Sequence, residues 1–189
     1  MKRAAAVALL ASGCAFLSKN EPLQPRYFTV EPEPKAAAAT ARSDLKLRLG
    51  PVVAGSDIRQ YLTIRSSDRE LGYSADLRWT ERPESYLRRA LSRAFFEERG
   101  VQRVLSGVAP TLDVELVAFE EVRQAPARVR VAAVITLHDG RLVLLEKTFA
   151  QERPLGAVKE AERPAAVARE LGVAMAAMVE EIAGEVVKR

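Results

Sequence analysis

The stretch LDVELVAFEEVRQAPARVRVAAVITLHDGRLVLLEKTFA, residues 112–150, decides the fold. Leu112, Val114, Leu116 and Ala118 alternate with Asp113, Glu115 and Val117. A period of two sends one row to a core face and the other to the opposite face of a strand. Val129, Val131, Ala133 and Ile135 repeat the alternation. Asp139-Gly140 is a hairpin turn signal, and beyond it Leu142, Leu144, Glu146 and Thr148 oppose Val143, Leu145, Lys147 and Phe149. The segment predicts an antiparallel meander.

Working outward, Pro83 predicts a helix start, because proline at the first helical position forfeits no hydrogen bond. Leu87, Ala90, Leu91, Ala94 and Phe95 then fall on one face, and Gly100 is the expected stop. On the other side of the meander Pro164 opens a longer helix, with Val167, Leu171, Ala174, Met175, Met178, Ile182 and Val186 as its apolar stripe. Met175 and Met178 on that stripe read as core. Further toward the N-terminus, Tyr27-Phe28-Thr29-Val30, the alternation Leu45/Leu47/Leu49, the run Tyr61-Leu62-Ile64 and the surroundings of Tyr73 read as strands. Gly50-Pro51 is the expected end of the second of these. Strands, helix, strands, helix is the order of an α+β two-layer sandwich: a mainly antiparallel sheet with two helices packed on one face.

The first thirteen residues have the order of a signal peptide. Lys2 and Arg3 supply the positive start, Ala4 to Leu10 an uncharged apolar run, and Ala11, Ser12 and Gly13 the small residues before a cut. That run is shorter than the roughly 20 residues that cross a bilayer. Cys14 follows directly and is the only cysteine in the chain, which marks it as the lipidated first residue of a mature protein. Attached acyl chains such as palmitate each bury many methylenes, at about 0.8 kcal/mol apiece. The expected organisation is a signal peptide over 1–13, a lipidated tether over 14–26 and one domain over 27–189. Residues 31–44, Glu-Pro-Glu-Pro followed by an alanine run, read as a second linker or surface loop.

Composition narrows the chemistry. Of 189 residues 48% are hydrophobic, enough for a core. The formal charge is +4; without Lys2 and Arg3, 27 basic residues stand against 25 acidic, a net +2 with both signs interspersed. That pattern argues against nucleic acid as a partner. One cysteine makes no internal disulfide, and one histidine makes no Cys/His zinc site. The Walker-type phosphate loop, the dinucleotide fingerprint and the Gly-x-Ser-x-Gly elbow are all absent. His138, just before the hairpin turn, reads as an exposed turn residue. The pairs Glu97-Glu98, Glu120-Glu121 and Glu180-Glu181 read as solvated faces, since neighbouring side chains diverge. No catalytic residue, metal or cofactor is implied. Trp79 and Tyr86, flanking the first helix, read as core before they read as docking residues, and a docking surface shared with Tyr61 is the alternative.

These pieces together resemble a known family. A lipobox-like Cys14 comes first, then Tyr27-Phe28-Thr29-Val30 and Leu45-Lys-Leu-Arg-Leu-Gly-Pro-Val52. Tyr61-Leu62 and Arg78-Trp79-Thr80-Glu81-Arg82-Pro83 follow. The succession resembles the ABC-type transport auxiliary lipoproteins, the group that includes the paraquat-inducible lipoprotein. The departures are Ala11 where the lipobox usually has Leu, Thr80 for Ala, Arg82 inserted before Pro83, and no proline ahead of Tyr61-Leu62. The resemblance implies a non-enzymatic accessory of an MCE-type transporter that moves lipids between two envelope membranes. Its partners would be an MCE-domain protein and an inner-membrane permease and ATPase. Cys14 would hold it on the periplasmic face of the outer membrane, toward which Ala15, in place of an aspartate, points. A homo-oligomer around the partner is compatible with this role. Two other readings stay open at this point: a structural lipoprotein of a β-barrel or secretion assembly, and a periplasmic hydrolase with an unfamiliar site.

Overall fold

The computed structural model describes residues 23–30 and 43–189. The expected signal peptide, Cys14, most of the expected tether and most of the Ala-rich stretch lie outside them. Among the described residues eleven elements follow one another: β1 (Arg26–Phe28), β2 (Lys46–Ala54), β3 (Tyr61–Ser67), β4 (Glu70–Trp79), α1 (Pro83–Ser92), a π-helical turn (Arg93–Glu98), β5 (Gln102–Arg103), β6 (Thr111–Val122), β7 (Arg128–His138), β8 (Val143–Pro154) and α2 (Arg163–Val187). The expected α+β sandwich is what forms: an eight-stranded open sheet with helices.

The meander is its centre. β6 pairs antiparallel with β7 from Thr111↔His138 to Val122↔Arg128, and β7 pairs antiparallel with β8. At twelve residues β6 is long enough for two strands to share its other edge. β2 runs parallel to its first half and β3 parallel to its last three residues. β3 turns back antiparallel into β4, and β1 closes that side in parallel with β4. The long ladders are therefore antiparallel, and the parallel joins are short.

Alternation does the work it promised. Leu112, Val114 and Leu116 of β6 and Val129, Val131, Ala133 and Ile135 of β7 are buried together with Val167, Leu171, Ala174, Met175, Met178 and Ile182 of α2. The turn closes as expected. Gly140 adopts φ +92°, a conformation open to glycine, and Asp139 Oδ1 accepts the Arg141 and Leu142 N–H groups, each at 2.8 Å. Those two bonds, Leu142's first, hold the Asp139 carboxyl below the usual aspartate range.

Three boundaries differ from expectation, the smallest being β1, which covers Arg26–Phe28 and not Tyr27–Val30. β2 does not stop at Gly50-Pro51 but continues to Ala54 through a register shift between Leu49 and Val52. A bulge absorbs what a regular ladder refuses: Pro51 has no N–H to pair. Gly50 leaves room for Asp113, whose Oδ1 would lie only 2.0 Å from a Cβ there. The first helix also changes winding, from α over Pro83–Ser92 to π over Arg93–Glu98, before Gly100 ends it at φ +61°.

Candidate functional site

Of the three aromatic residues singled out by sequence, one reaches solvent. Trp79 is 2% exposed and Tyr86 0% exposed. Trp79 packs edge-on against Phe119, with centroids 5.4 Å apart. The Tyr86 hydroxyl lies 2.6 Å from Thr80 Oγ1 and accepts the Glu81 N–H at 3.2 Å, which ties the start of α1 to the end of β4. Both rings are covered by this chain's own atoms. Tyr61, by contrast, is 39% exposed.

Around Tyr61 the sheet builds a firm aromatic and cationic surface. The register Tyr61↔Arg78 places the Arg78 guanidinium 3.8 Å above the Tyr61 ring. Arg78 is held there by three backbone carbonyls, of Ser74 (3.2 Å), Ala75 (2.8 Å) and Leu77 (3.1 Å). Tyr73, from β4, meets Tyr61 edge-on at 6.0 Å and donates its hydroxyl to the Asp57 carbonyl at 2.8 Å. Arg59 covers the other ring, 5.7 Å from the Tyr73 centroid. Gln60 Nε2 donates to the Trp79 carbonyl at 3.0 Å, and the Trp79 N–H returns a bond to the Gln60 carbonyl at 2.9 Å. A polar cleft of about 510 Å³ opens beside Tyr61, with Arg59, Arg82, Gln60 and Ser56 on its walls. Ordered guanidinium groups over aromatic faces are a surface suited to anionic or apolar groups of a protein partner.

The carboxylate pairs part company. Glu97, Glu180 and Glu181 are exposed and Glu98 half-buried, in line with solvated faces. Glu120 and Glu121 are not: they are 2% and 0% exposed. A register shift between Leu116 and Ala118 interrupts β6, and every residue from Ala118 to Val122 is buried, so both faces are covered there. Glu120 receives a two-pronged bond from Arg65 of β3, at 2.8 and 2.9 Å, and lies 3.9 Å from Arg130 of β7. The Glu120 bond holds the Arg65 pKa above the ordinary arginine value. Glu121 accepts from Arg163 at the start of α2 at 2.6 Å and from Arg123 at 3.2 Å. Each carboxylate is consumed by its own guanidinium pair, so the two do not act as one acid/base site. His138 also departs from the exposed turn residue expected of it. It is half-buried, with Nε2 3.3 Å from Asp113 Oδ2, while Nδ1 accepts the Gly140 N–H at 3.2 Å.

A second concavity escaped the sequence reading. A groove of about 600 Å³ runs between the Tyr27–Val30 stretch and the first half of α2, lined by Phe28, Val30, Ala165, Ala168, Gly172, Val173 and Ala176. Its floor is small because the helix offers Ala165, Ala168, Gly172 and Ala176 at helical spacing, a signal present in the sequence but indistinguishable there from tight packing. Among the described residues no group of three or more His, Cys, Asp or Glu is placed to hold a metal. Likewise no described helix is long and apolar enough to cross a membrane.

The family model described as ABC-type transport auxiliary lipoprotein component matches residues 28–183. No curated protein matches the sequence. Among solved structures, protein XCC0632 from Xanthomonas campestris is 20% identical with a TM-score of 0.63, over 87% of this chain and 94% of that one. Protein CT253 from Chlamydia trachomatis is 9% identical with a TM-score of 0.52, over 76% of this chain and 96% of that one. At such identities the likeness is one of fold.

Proposed function

The chain belongs to the family of ABC-type transport auxiliary lipoprotein components, and from that premise we propose that it is the docking component of an MCE-type transporter moving lipids between two envelope membranes. A lipoprotein accessory role comes with the family. The MCE system, the outer membrane and the partners are the proposed part. Cys14, acylated, anchors the chain on the periplasmic face of the outer membrane. The segment from there to Tyr27 spans at most about 45 Å when extended. The domain therefore stands within reach of the bilayer and presents the Tyr61 surface to the MCE-domain protein. An inner-membrane permease and ATPase supply the energy. This chain contributes binding rather than turnover: its buried carboxylates are spent on arginines.

The observation that carries the reading is the family match over residues 28–183. The Tyr61, Tyr73, Arg59 and Arg78 cluster supports the docking role, because rings and guanidinium groups held in place lose little freedom on binding. Crosslinking in intact envelopes followed by affinity capture of this chain tests it. An MCE-domain protein or its permease is expected in the captured fraction, and less of it with Tyr61→Ala. Capture of barrel-assembly or secretion components in their place refutes the transporter assignment.

A further inference from the structure

We propose that the groove between Tyr27–Val30 and α2 binds one acyl chain of a membrane phospholipid, with the phosphate held at the groove's mouth by arginine. This goes beyond the docking surface, lies on different elements, and rests on the anchored reading of Cys14 only for its access to lipid.

The groove has the size and lining for such a ligand. Its volume of about 600 Å³ falls within the roughly 300–1,000 Å³ of small-molecule sites. Phe28, Val30, Ala168, Gly172 and Val173 make an apolar trough with no carboxylate among the described residues that line it. The trough is built into the packing, because Gly172 lets the Val30 backbone approach α2: a Cβ there would lie 2.3 Å from the Val30 carbonyl oxygen.

Charge and chain path identify the occupant. Arg169 lines the groove. Its neighbour Glu170 is shared with Arg153, which donates to it at 2.9 Å, while Arg169 donates at 3.2 Å. One carboxylate shared by two guanidinium groups does not neutralise both, so Arg169 brings net positive charge to the groove it lines. Arg26, whose Cζ sits 5.4 Å from the Phe28 ring centroid, adds a second cation on the strand that forms the opposite wall. A single acyl tail with an anionic headgroup matches an apolar trough flanked by arginines. The strand that forms one wall of the groove follows, in the sequence, the proposed tether from Cys14, which gives the groove access to the anchoring bilayer under that reading.

The test uses the native acylated protein in vesicles of phosphatidylethanolamine with phosphatidylglycerol as minor component. A trace of phosphatidylglycerol carrying a photoactivatable diazirine in its acyl chain serves as probe. After illumination, mass spectrometry of peptides is expected to place the label within residues 165–176. Val173→Asp sets a charge in the trough and Ala176→Trp fills it; both positions are exposed, so folding is retained. Either variant should lower the label there by about tenfold or more, whereas Val187→Asp, exposed on the same helix outside the groove, should not. Label absent from 165–176 in the native chain, or equal in Val173→Asp, overturns the proposal. Label that enters only in a non-acylated Cys14→Ser chain identifies the protein's own anchor as occupant and overturns it too. The intact mass of the same sample reports acylation of residue 14, and so separates failure of the groove from failure of the anchor.

Discussion

Replacing Gly172 by alanine should destabilise the protein, although the same change elsewhere in α2 should stabilise it. In a helix interior alanine is favoured over glycine by about 1 kcal/mol. At Gly172 the added Cβ would lie 2.3 Å from the Val30 carbonyl oxygen, and that neighbour is backbone, which cannot swing aside. The Tyr27–Val30 stretch must lift off α2. Val30, buried at its place on the helix, loses much of the roughly 1.5–3 kcal/mol that burial of a valine contributes. After the propensity gain the net loss is about 0.5–2 kcal/mol. At Gly184 nothing stands within 4 Å of the corresponding position, so Gly184→Ala should gain about 0.5–1 kcal/mol. A domain of this size shifts by about 2–4 °C per kcal/mol. Thermal unfolding of the mature chain should therefore move down for Gly172→Ala and up for Gly184→Ala. If both variants melt higher, Val30 does not pack on the helix as described and the groove has no second wall.

Other outcomes follow from the ion pairs and the exposed rings. Glu120→Gln strips the buried partner from Arg65; such losses cost about 3–5 kcal/mol, and with Arg65 24% exposed the lower end, about 3 kcal/mol, is expected in urea unfolding. Glu170 is held below the ordinary glutamate pKa of 4.5, first by its bond from Arg153 and then by Arg169. A lowered folded pKa contributes stability above the unfolded value that is lost as pH falls through the folded one, so the loss of stability with falling pH below that 4.5 should be less steep in Glu170→Gln. Tyr61→Ala should weaken capture of the transporter partner by roughly thirtyfold, about 2 kcal/mol for a hot-spot ring, with Tm nearly unchanged. Equal capture by that variant places the docking face elsewhere.

What could be read from residues alone was what repeats locally. The β6–β7–β8 meander, the α2 stripe from Val167 to Val186 and the proline helix starts each carry a short-range period, and each appears in the structure. The failures come from contacts between distant residues. Gly50-Pro51 looks like a stop until Asp113, across the ladder, is seen to need the space of a missing Cβ. Glu120-Glu121 looks solvated until Arg65, Arg130 and Arg163 arrive from three other elements. Trp79 and Tyr86 read as core first, with docking kept as the alternative because core rings and docking rings share one residue type; packing on Phe119 and Thr80 buries both. The groove needs both the small residues of α2 and the backbone of Val30, more than a hundred positions away in the chain.

The proposed docking role depends first on an anchor at Cys14, and the intact mass of the mature protein isolated from its own envelope tests that most directly. A chain beginning at Cys14 and carrying diacylglycerol on its sulfur is the expected species. An unmodified Cys14, or a mature chain that begins at another residue, contradicts it.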